Sequence, residues 1–218
     1  MKAAIFDLDG TLVDSLPGLA ASLNHTLTSE GLPEIPLSTV RGYVGNGLWQ
    51  LIRCAFPTSD YPDEAITRLR GTFEKHYAQV WQDTTTPFEG IIDLLHSLHA
   101  NGITLGVLSN KQHSFTQDIV STLFGRDLVP VIYGQRDEVA KKPAPDALLA
   151  ICQELTLSPT EVTFIGDSTV DLATAQAAKT KGAGVTWGYH DQSQLSPYGY
   201  PLCDTVTDLK TMLLSEVA

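Results

Sequence analysis

The chain has 218 residues, 43% apolar and 18% charged, so it can bury a sizeable core and is not a disordered polymer; the length fits one large domain or a domain with an insertion. Its formal net charge is −11, from 14 basic and 25 acidic residues. The absence of a basic run argues against a nucleic-acid partner but not against an anionic substrate at a locally positive site.

In chain order, AAIF (3–6) is a strand candidate that runs into Asp7 and Asp9. No apolar run nears the roughly 20 residues of a membrane span, and the four apolar residues after Lys2 are too few for a signal segment. Leu16, Leu19, Leu23 and Leu27 recur at helical spacing, with Asp14 or Ser15 as cap and Pro17 in the first turn; Gly31 and Pro33 end that helix. Residues 47–56 make a second helix. Residues 62–81 make a third, with Ile66, Leu69, Phe73, Tyr77 and Val80 or Trp81 on one stripe. No convincing strand interrupts this region, so 15–83 is expected to be a helical cap inserted over a core formed by 1–14 and 84–218. Within the core, Ile91, Leu94, Leu95 and Leu98 line a helix that Gly102 closes. Then follow ITLGVL (103–108), VPVIYG (129–134), a helix from Asp146 to Leu155, VTFIG (162–166), a helix from Asp171 to Lys181, and GVTW (184–187). The tail after Gly188 is loop-like, before a final strand or turn near Asp204 and a short helix. Near-continuous apolar strands alternating with helices predict an α/β fold, a Rossmann-like doubly wound parallel sheet covered on both faces.

In such sheets ligands bind outside the carboxyl ends of the strands. The residues just past those ends are Asp7; Ser109, Asn110 and Lys111; Lys141 and Lys142; and Asp167 and Ser168 with Asp171. Carboxylates from separate segments repel unless a cation lies between them, and hard oxygens at a small site suit Mg²⁺. Lys142 adds positive charge and Ser109 a hydroxyl donor, both suited to a phosphoryl group. Asp7 can then be a nucleophile. Asp9 can be the acid that protonates a leaving oxygen and later the base that activates water.

The segments DLDGTLVDS, LSN, KKPAPD and FIGDSTVD resemble, in order and spacing, the four motifs of the haloacid dehalogenase superfamily, and the resemblance covers essentially the whole chain. It implies a Rossmann-like core with a helical cap inserted soon after the first motif. It also implies that Asp7 is nucleophile and Mg²⁺ ligand, and that Asp9 is acid/base with its backbone carbonyl on the metal. Asp167 is then the third metal ligand and Asp171 supports the metal site or Lys142. Thr11, which helps orient the Asp9 region, joins Ser109, Asn110 and Lys142 in binding phosphate, and Gly10 lets the chain turn after Asp9. An acid at Asp9 resembles the phosphatase and phosphomutase branch.

RGYVGNGL (41–48), SNK (109–111), YGQRDEVAKKPAP (133–145) and WGYHD (187–191) are similar to phosphoglycolate phosphatases. Gly45, Asn46 and Gly47 before an apolar helix would expose backbone N–H groups to a substrate carboxylate, and Arg41 adds charge or stays solvated. The expected activity is Mg²⁺-dependent hydrolysis of a small phosphomonoester through an aspartyl-phosphate, 2-phosphoglycolate first. The alternatives are a sugar phosphomutase, a pyrophosphatase or nucleotidase of the same superfamily, or a non-catalytic receiver-like phosphoprotein. The expected partner is a small phosphorylated metabolite, with no nucleic acid and no membrane, and the protein is expected to be a monomer or homodimer. Cys54, Cys152 and Cys203 lack metal or disulfide spacing, which suits a reducing cytoplasm, and are read as buried thiols. His96 and His99 are a solvated pair without a third ligand, and His113, just past Lys111, could approach the strand ends but by itself marks no site. Lys141 is a surface residue, Asp14 a helix cap, Asp146 a first-turn residue and Trp187 a packing residue.

Overall fold

The computed structural model describes residues 1–56 and 60–216. Residues 57–59, within the stretch assigned to the helical insertion, and 217–218 lie outside the described residues. The chain forms two compact units, Met1–Val13 with Pro87–Ala218, and Asp14–Thr86. Strand β1 (Ala3–Phe6) opens the first. The chain leaves through β2 (Val13–Asp14) and returns through β3 (Thr86–Pro87), which pair as a two-stranded ribbon.

The second unit holds α1 (Leu16–Ser29), α2 (Leu37–Arg41), α3 (Leu48–Ala55) and α4 (Asp63–Thr84). At the start of α1 the Leu16 N–H donates to Asp14 Oδ1 at 3.1 Å, so Asp14 supplies the capping acceptor while Ser15 holds the cap position and its side chain does not cap the helix. On α4 the stripe Ile66, Leu69, Phe73, Tyr77 and Trp81 is buried, as one helical face should be. Helices α1 and α4 pack closely. A Cβ at Gly18 would lie 2.3 Å from Thr84 Oγ1, which is why α1 carries a glycine there. No helix among the described residues is long and apolar enough to cross a membrane.

The first unit continues through α5 (Ile91–Ala100), β4 (Thr104–Gln112), α6 (His113–Leu123), β5 (Val131–Gln135), α7 (Asp146–Glu154), β6 (Val162–Gly166), α8 (Thr169–Ala178), β7 (Lys181–Val185), α9 (Gln192–Leu195), β8 (Leu202–Cys203) and α10 (Val206–Ser215). Its sheet runs β5-β4-β1-β6-β7-β8 with parallel pairings throughout. That is the Rossmann-like α/β arrangement the strand and helix alternation predicts. Ala3 and Ile5 of β1, with Val162 and Phe164 of β6, bury one face against Leu148 and Ile151 of α7 and Ala175 of α8. Alternation turns Ala4 and Phe6, also buried, to the other side. Helices α5 and α10 pack on each other, and α5 on β4, outside that cluster.

Several expectations shift. Strand β4 does not stop at Leu108 but continues through Ser109, Asn110 and Lys111 to Gln112, with a register irregularity between Leu108 and Gln112. Helix α6 follows it directly and was not expected. Helix α8 ends at Ala178, where Lys179 turns left-handed at φ 58°, so Lys181 belongs to β7 rather than to the helix. Strand β7 reads KGAGV because Cβ atoms at Gly182 and Gly184 would sit 2.9 Å from the Tyr200 ring and 2.5 Å from Leu202 Cδ2. The apolar signal is therefore displaced to Trp187, beyond the strand. Cys152 and Cys203 are buried, but Cys54 is exposed.

Candidate active site

Sheet register assembles the first residues. Phe6 pairs with Val107 on one side and Ile165 on the other, so Asp7 follows one step beyond, beside the segments that carry Ser109 and Asp167. The Asp7 N–H donates to Ile165 O at 2.8 Å and fixes that step. The chain then curls tightly: the Leu12 and Val13 N–H groups both donate to Leu8 O, and Gly10, at φ 85°, donates to Val13 O. A residue with a Cβ resists that φ. Asp7 and Asp9 thus leave the same strand end in a loop held by its own backbone.

Lys142 is the hub. Its side chain is 2% exposed, and Nζ lies 2.8 Å from Asp7 Oδ1 and 2.6 Å from Asp171 Oδ1. It also stands 5.3 Å from the centroid of the Phe164 ring, a cation–π distance. Asn110, grouped from its sequence with the phosphate binders, uses its side-chain amide to clamp the Lys142 backbone: Nδ2 donates to Lys142 O at 3.1 Å and Oδ1 accepts from Lys142 N at 2.9 Å. Asp171 Oδ2 accepts from the Ser168 N–H and hydroxyl at 3.1 and 2.5 Å, and Ser168 Oγ accepts in turn from the Asp171 N–H. This capping box at the start of α8 orients Asp171 toward Lys142. Lys141, one residue earlier, is exposed.

Asp167 is held by other groups. Its Oδ1 accepts from the Thr11 hydroxyl at 3.2 Å and its Oδ2 from the Tyr189 N–H at 2.7 Å. The Trp187 indole N–H donates to Thr11 O at 3.2 Å, which ties the loop after β7 to the loop after β1. A Cβ at Gly188 would lie 2.3 Å from Asp167 Cβ and 2.4 Å from Gly10 O. Neither neighbour is a flexible side-chain end. Gly188→Ala is therefore expected to push Asp167 aside and destabilise the fold by about 1–3 kcal/mol, the usual scale of overpacking. Thermal melting checks this, with a drop of roughly 2–12 °C expected at this chain size. An unchanged midpoint would mean that the loop yields freely.

The electrostatics of the cluster are lopsided. Asp7, Asp167 and Asp171 are all buried, with carboxylate oxygens within 4.8 Å of one another. Burial first, then Asp171, push the Asp7 carboxyl up to about 7, although Lys142 opposes them. Burial, Asp171 and Asp7 push Asp167 well above the ordinary carboxylate range. Burial alone would lower Lys142, but the charges of Asp171 and Asp7 outweigh it and raise it. The Lys142–Asp7 contact is an ion pair without hydrogen-bond alignment, so buried Asp7 Oδ1 has no aligned donor. An under-satisfied carboxylate among like charges and hard oxygens fits a small divalent cation such as Mg²⁺.

Asp9 is engaged separately. Lys111 Nζ lies 3.1 Å from its Oδ1 and 3.2 Å from its Oδ2, with side-chain exposures of 7% for Lys111 and 11% for Asp9. Ser109 is buried, and its Oγ accepts from the Lys111 N–H at 3.2 Å. Sequence reasoning placed Lys111 and Ser168 at strand ends without a role, and it missed the Tyr189 backbone. For Ser168, the S-x-x-D spacing to Asp171 was the available signal. His113 meets the end of β5 instead: Gly134 N–H donates to Nδ1 at 3.1 Å, and Arg136 Nη2 lies 2.7 Å from Nε2. Burial, with Arg136 and Arg126, holds its pKa below the ordinary value. In the helical unit, Gly45 and Gly47 have positive φ of 110° and 83° in the loop before α3, and Arg41 ends α2 with its side chain exposed. Asn46, between the two glycines, is exposed. His96 and His99 are also exposed.

A family model of haloacid dehalogenase-like hydrolases matches residues 4–185. The phosphoglycolate phosphatase of Salmonella typhi is 34% identical, over 87% of this chain and 83% of its own. That of Escherichia coli K12 is 32% identical with the same coverage. Among solved structures, a haloacid dehalogenase-like family hydrolase from Streptococcus pneumoniae superposes with a TM-score of 0.87 at 26% identity, covering 98% of both chains.

Proposed function

The chain belongs to the haloacid dehalogenase-like hydrolase family and is phosphoglycolate phosphatase-like in sequence, and we propose that it hydrolyses a small phosphomonoester, 2-phosphoglycolate first, through an aspartyl-phosphate on Asp7 with Mg²⁺ bound. The observation that carries this reading is the convergence of Asp7, Asp167 and Asp171 on one buried point, with Lys142 bridging two of them.

Asp7, Asp167 and the Asp9 backbone carbonyl would hold the metal, and Asp171 would act through Lys142. Mg²⁺ supplies charge neutralisation for the nucleophile and the phosphoryl oxygens when bound. The chain's own residues do the rest. An Asp7 carboxylate oxygen attacks phosphorus, and the bond from phosphorus to the ester oxygen breaks. Asp9 gives its proton to that leaving oxygen. Lys142 and the Ser109 hydroxyl meet the charge on the transferring group, and Asn110 holds Lys142 in place. In the second half, Asp9 takes a proton from water as the water oxygen attacks phosphorus, and the carboxylate of Asp7 is released with inorganic phosphate. Thr11 acts by orienting Asp167. The unit Asp14–Thr86 would serve as a cap that screens leaving groups, with Arg41, Gly45, Asn46 and Gly47 as its specificity residues.

Phosphate release from a panel of phosphomonoesters with Mg²⁺ tests the assignment. The highest kcat/KM is expected for 2-phosphoglycolate. Absence of phosphate release, or interconversion of sugar phosphates without it, would overturn the reading.

Metal dependence has its own signature in stability. A carboxyl whose pKa is raised on folding binds its proton more tightly in the native state, so its burial weakens the metal-free fold as pH rises from about 4 to about 7. Protons and metal compete for the same oxygens. Mg²⁺ at about 100 times its Kd is expected to stabilise by about 2.7 kcal/mol at pH 8, a melting shift of roughly 5–10 °C. The shift should shrink at pH 6. A melting point indifferent to Mg²⁺ at pH 8, or turnover that survives chelation, contradicts the metal assignment.

A further inference from the structure

We propose that Lys111 is a specificity residue, whose ammonium group receives the carboxylate of a phosphomonoester with an acid group one carbon from the ester oxygen. The proposal rests on the reading of Asp9 as the leaving-group acid. If Asp9 meets the ester oxygen, the carbon attached to that oxygen and the group beyond it lie beside the Asp9 carboxylate. Lys111 Nζ is within 3.2 Å of both Asp9 oxygens, so it stands at hydrogen-bonding range of that region.

Its placement is built. The Lys111 N–H donates to Ser109 Oγ at 3.2 Å, and its carbonyl accepts from the Thr116 hydroxyl at 3.2 Å. Gly134 of β5 passes so close that a Cβ there would lie 2.8 Å from Lys111 O. The backbone is therefore fixed on three sides, and the side chain, 7% exposed, is directed inward rather than to solvent.

Charge balance gives the second argument. With Asp9 carrying the proton that it would give to the leaving oxygen, Asp7, Asp167 and Asp171 face Lys111 and Lys142, a formal surplus of one negative charge that a divalent cation would more than offset. Lys142 is committed to Asp7 and Asp171, on the phosphoryl side. A substrate carboxylate beside Asp9 would bring a further buried negative charge, which needs a cation within reach. Lys111 is the lysine in contact with Asp9. A phosphoester with an uncharged leaving group would gain nothing there.

The test is the preference for 2-phosphoglycolate over 2-hydroxyethyl phosphate, the same skeleton with an alcohol in place of the acid, read as a ratio of kcat/KM values. The wild-type protein is expected to favour the acid. Lys111→Met should cut that preference about 10- to 100-fold, the scale of one charge-assisted hydrogen bond, and mainly through KM. Lys111→Arg should keep part of it, and Lys111→Gln carries the same comparison if Lys111→Met does not fold. An equal loss on both substrates would make Lys111 a partner of Asp9 alone. A preference that survives would move carboxylate recognition elsewhere, for instance to the Gly45–Gly47 loop. Either result overturns the proposal and leaves the phosphatase reading intact, as does a wild-type protein with no preference. A wild-type protein that releases phosphate from no ester at all overturns both.

Discussion

Asp7→Asn is expected to abolish phosphate release, by at least about 10³-fold, because in the proposed mechanism a carboxylate oxygen of Asp7 would bond to phosphorus, and an amide is a far weaker nucleophile. The substitution keeps the shape of the side chain. It takes one negative charge out of a cluster in which burial and Asp171 already disfavour the Asp7 carboxylate. The variant should therefore remain folded, with a melting midpoint close to that of the wild-type protein, so loss of turnover cannot be blamed on unfolding. Asp9→Asn should behave differently. In the proposed mechanism it would remove the proton donor but not the nucleophile, so the loss should be large for an alkyl phosphate and smaller for p-nitrophenyl phosphate, whose leaving group hardly needs a proton. Phosphate release from the two substrates by both variants separates the roles. Activity of Asp7→Asn within tenfold of wild type would sink the covalent mechanism, and equal losses for Asp9→Asn on both substrates would remove the case for Asp9 as the acid.

Those residues could be found in the sequence because the central strands of a parallel sheet are apolar on both faces, and AAIF and VTFIG end abruptly on acids. The strand that is hardest to read, β7, is small-residue-rich because Tyr200 and Leu202 occupy the space its side chains would need. Helix α6 carries Phe115, Ile119 and Val120 but begins right after Gln112, with no glycine or proline to mark the join. The candidate site shows the same division. The types of its acids and of Lys142 could be read from strand ends, whereas their partners could not. Lys111 lies 102 residues from Asp9, and Thr11 lies 156 from Asp167; register alone brings them together. The Tyr189 contact is made by a backbone N–H, which no residue type announces. Asn110 looked like a ligand-binding amide; its donor and acceptor match the backbone C=O and N–H of one residue, Lys142, a pairing visible only once β4 and the segment before α7 are side by side.

Lys142→Met carries the largest expected effect on stability. The lysine is 2% exposed and sits between two carboxylates that are 9% and 1% exposed. Methionine fills much of the same volume and keeps a contact with Phe164, so the loss is one of charge rather than of packing. Removing one member of a buried ion network leaves the others uncompensated, which destabilises by about 3–5 kcal/mol. At this chain size that corresponds to a melting drop of roughly 6–20 °C. The drop should be greatest in metal-free protein at pH 8. It should ease toward pH 6, because protonation of Asp7, already pushed up to about 7, relieves the repulsion with Asp171. Asp171→Asn in the same chain should recover part of the loss, since it removes the second charge that Lys142 compensates, and the double-mutant cycle measures their coupling directly. Recovery of stability in the double variant should bring no recovery of turnover, because the positive charge that would face the transferring phosphoryl group is gone. A loss below about 1 kcal/mol for Lys142→Met would mean that water reaches the Asp7–Asp171 pair freely, against their burial.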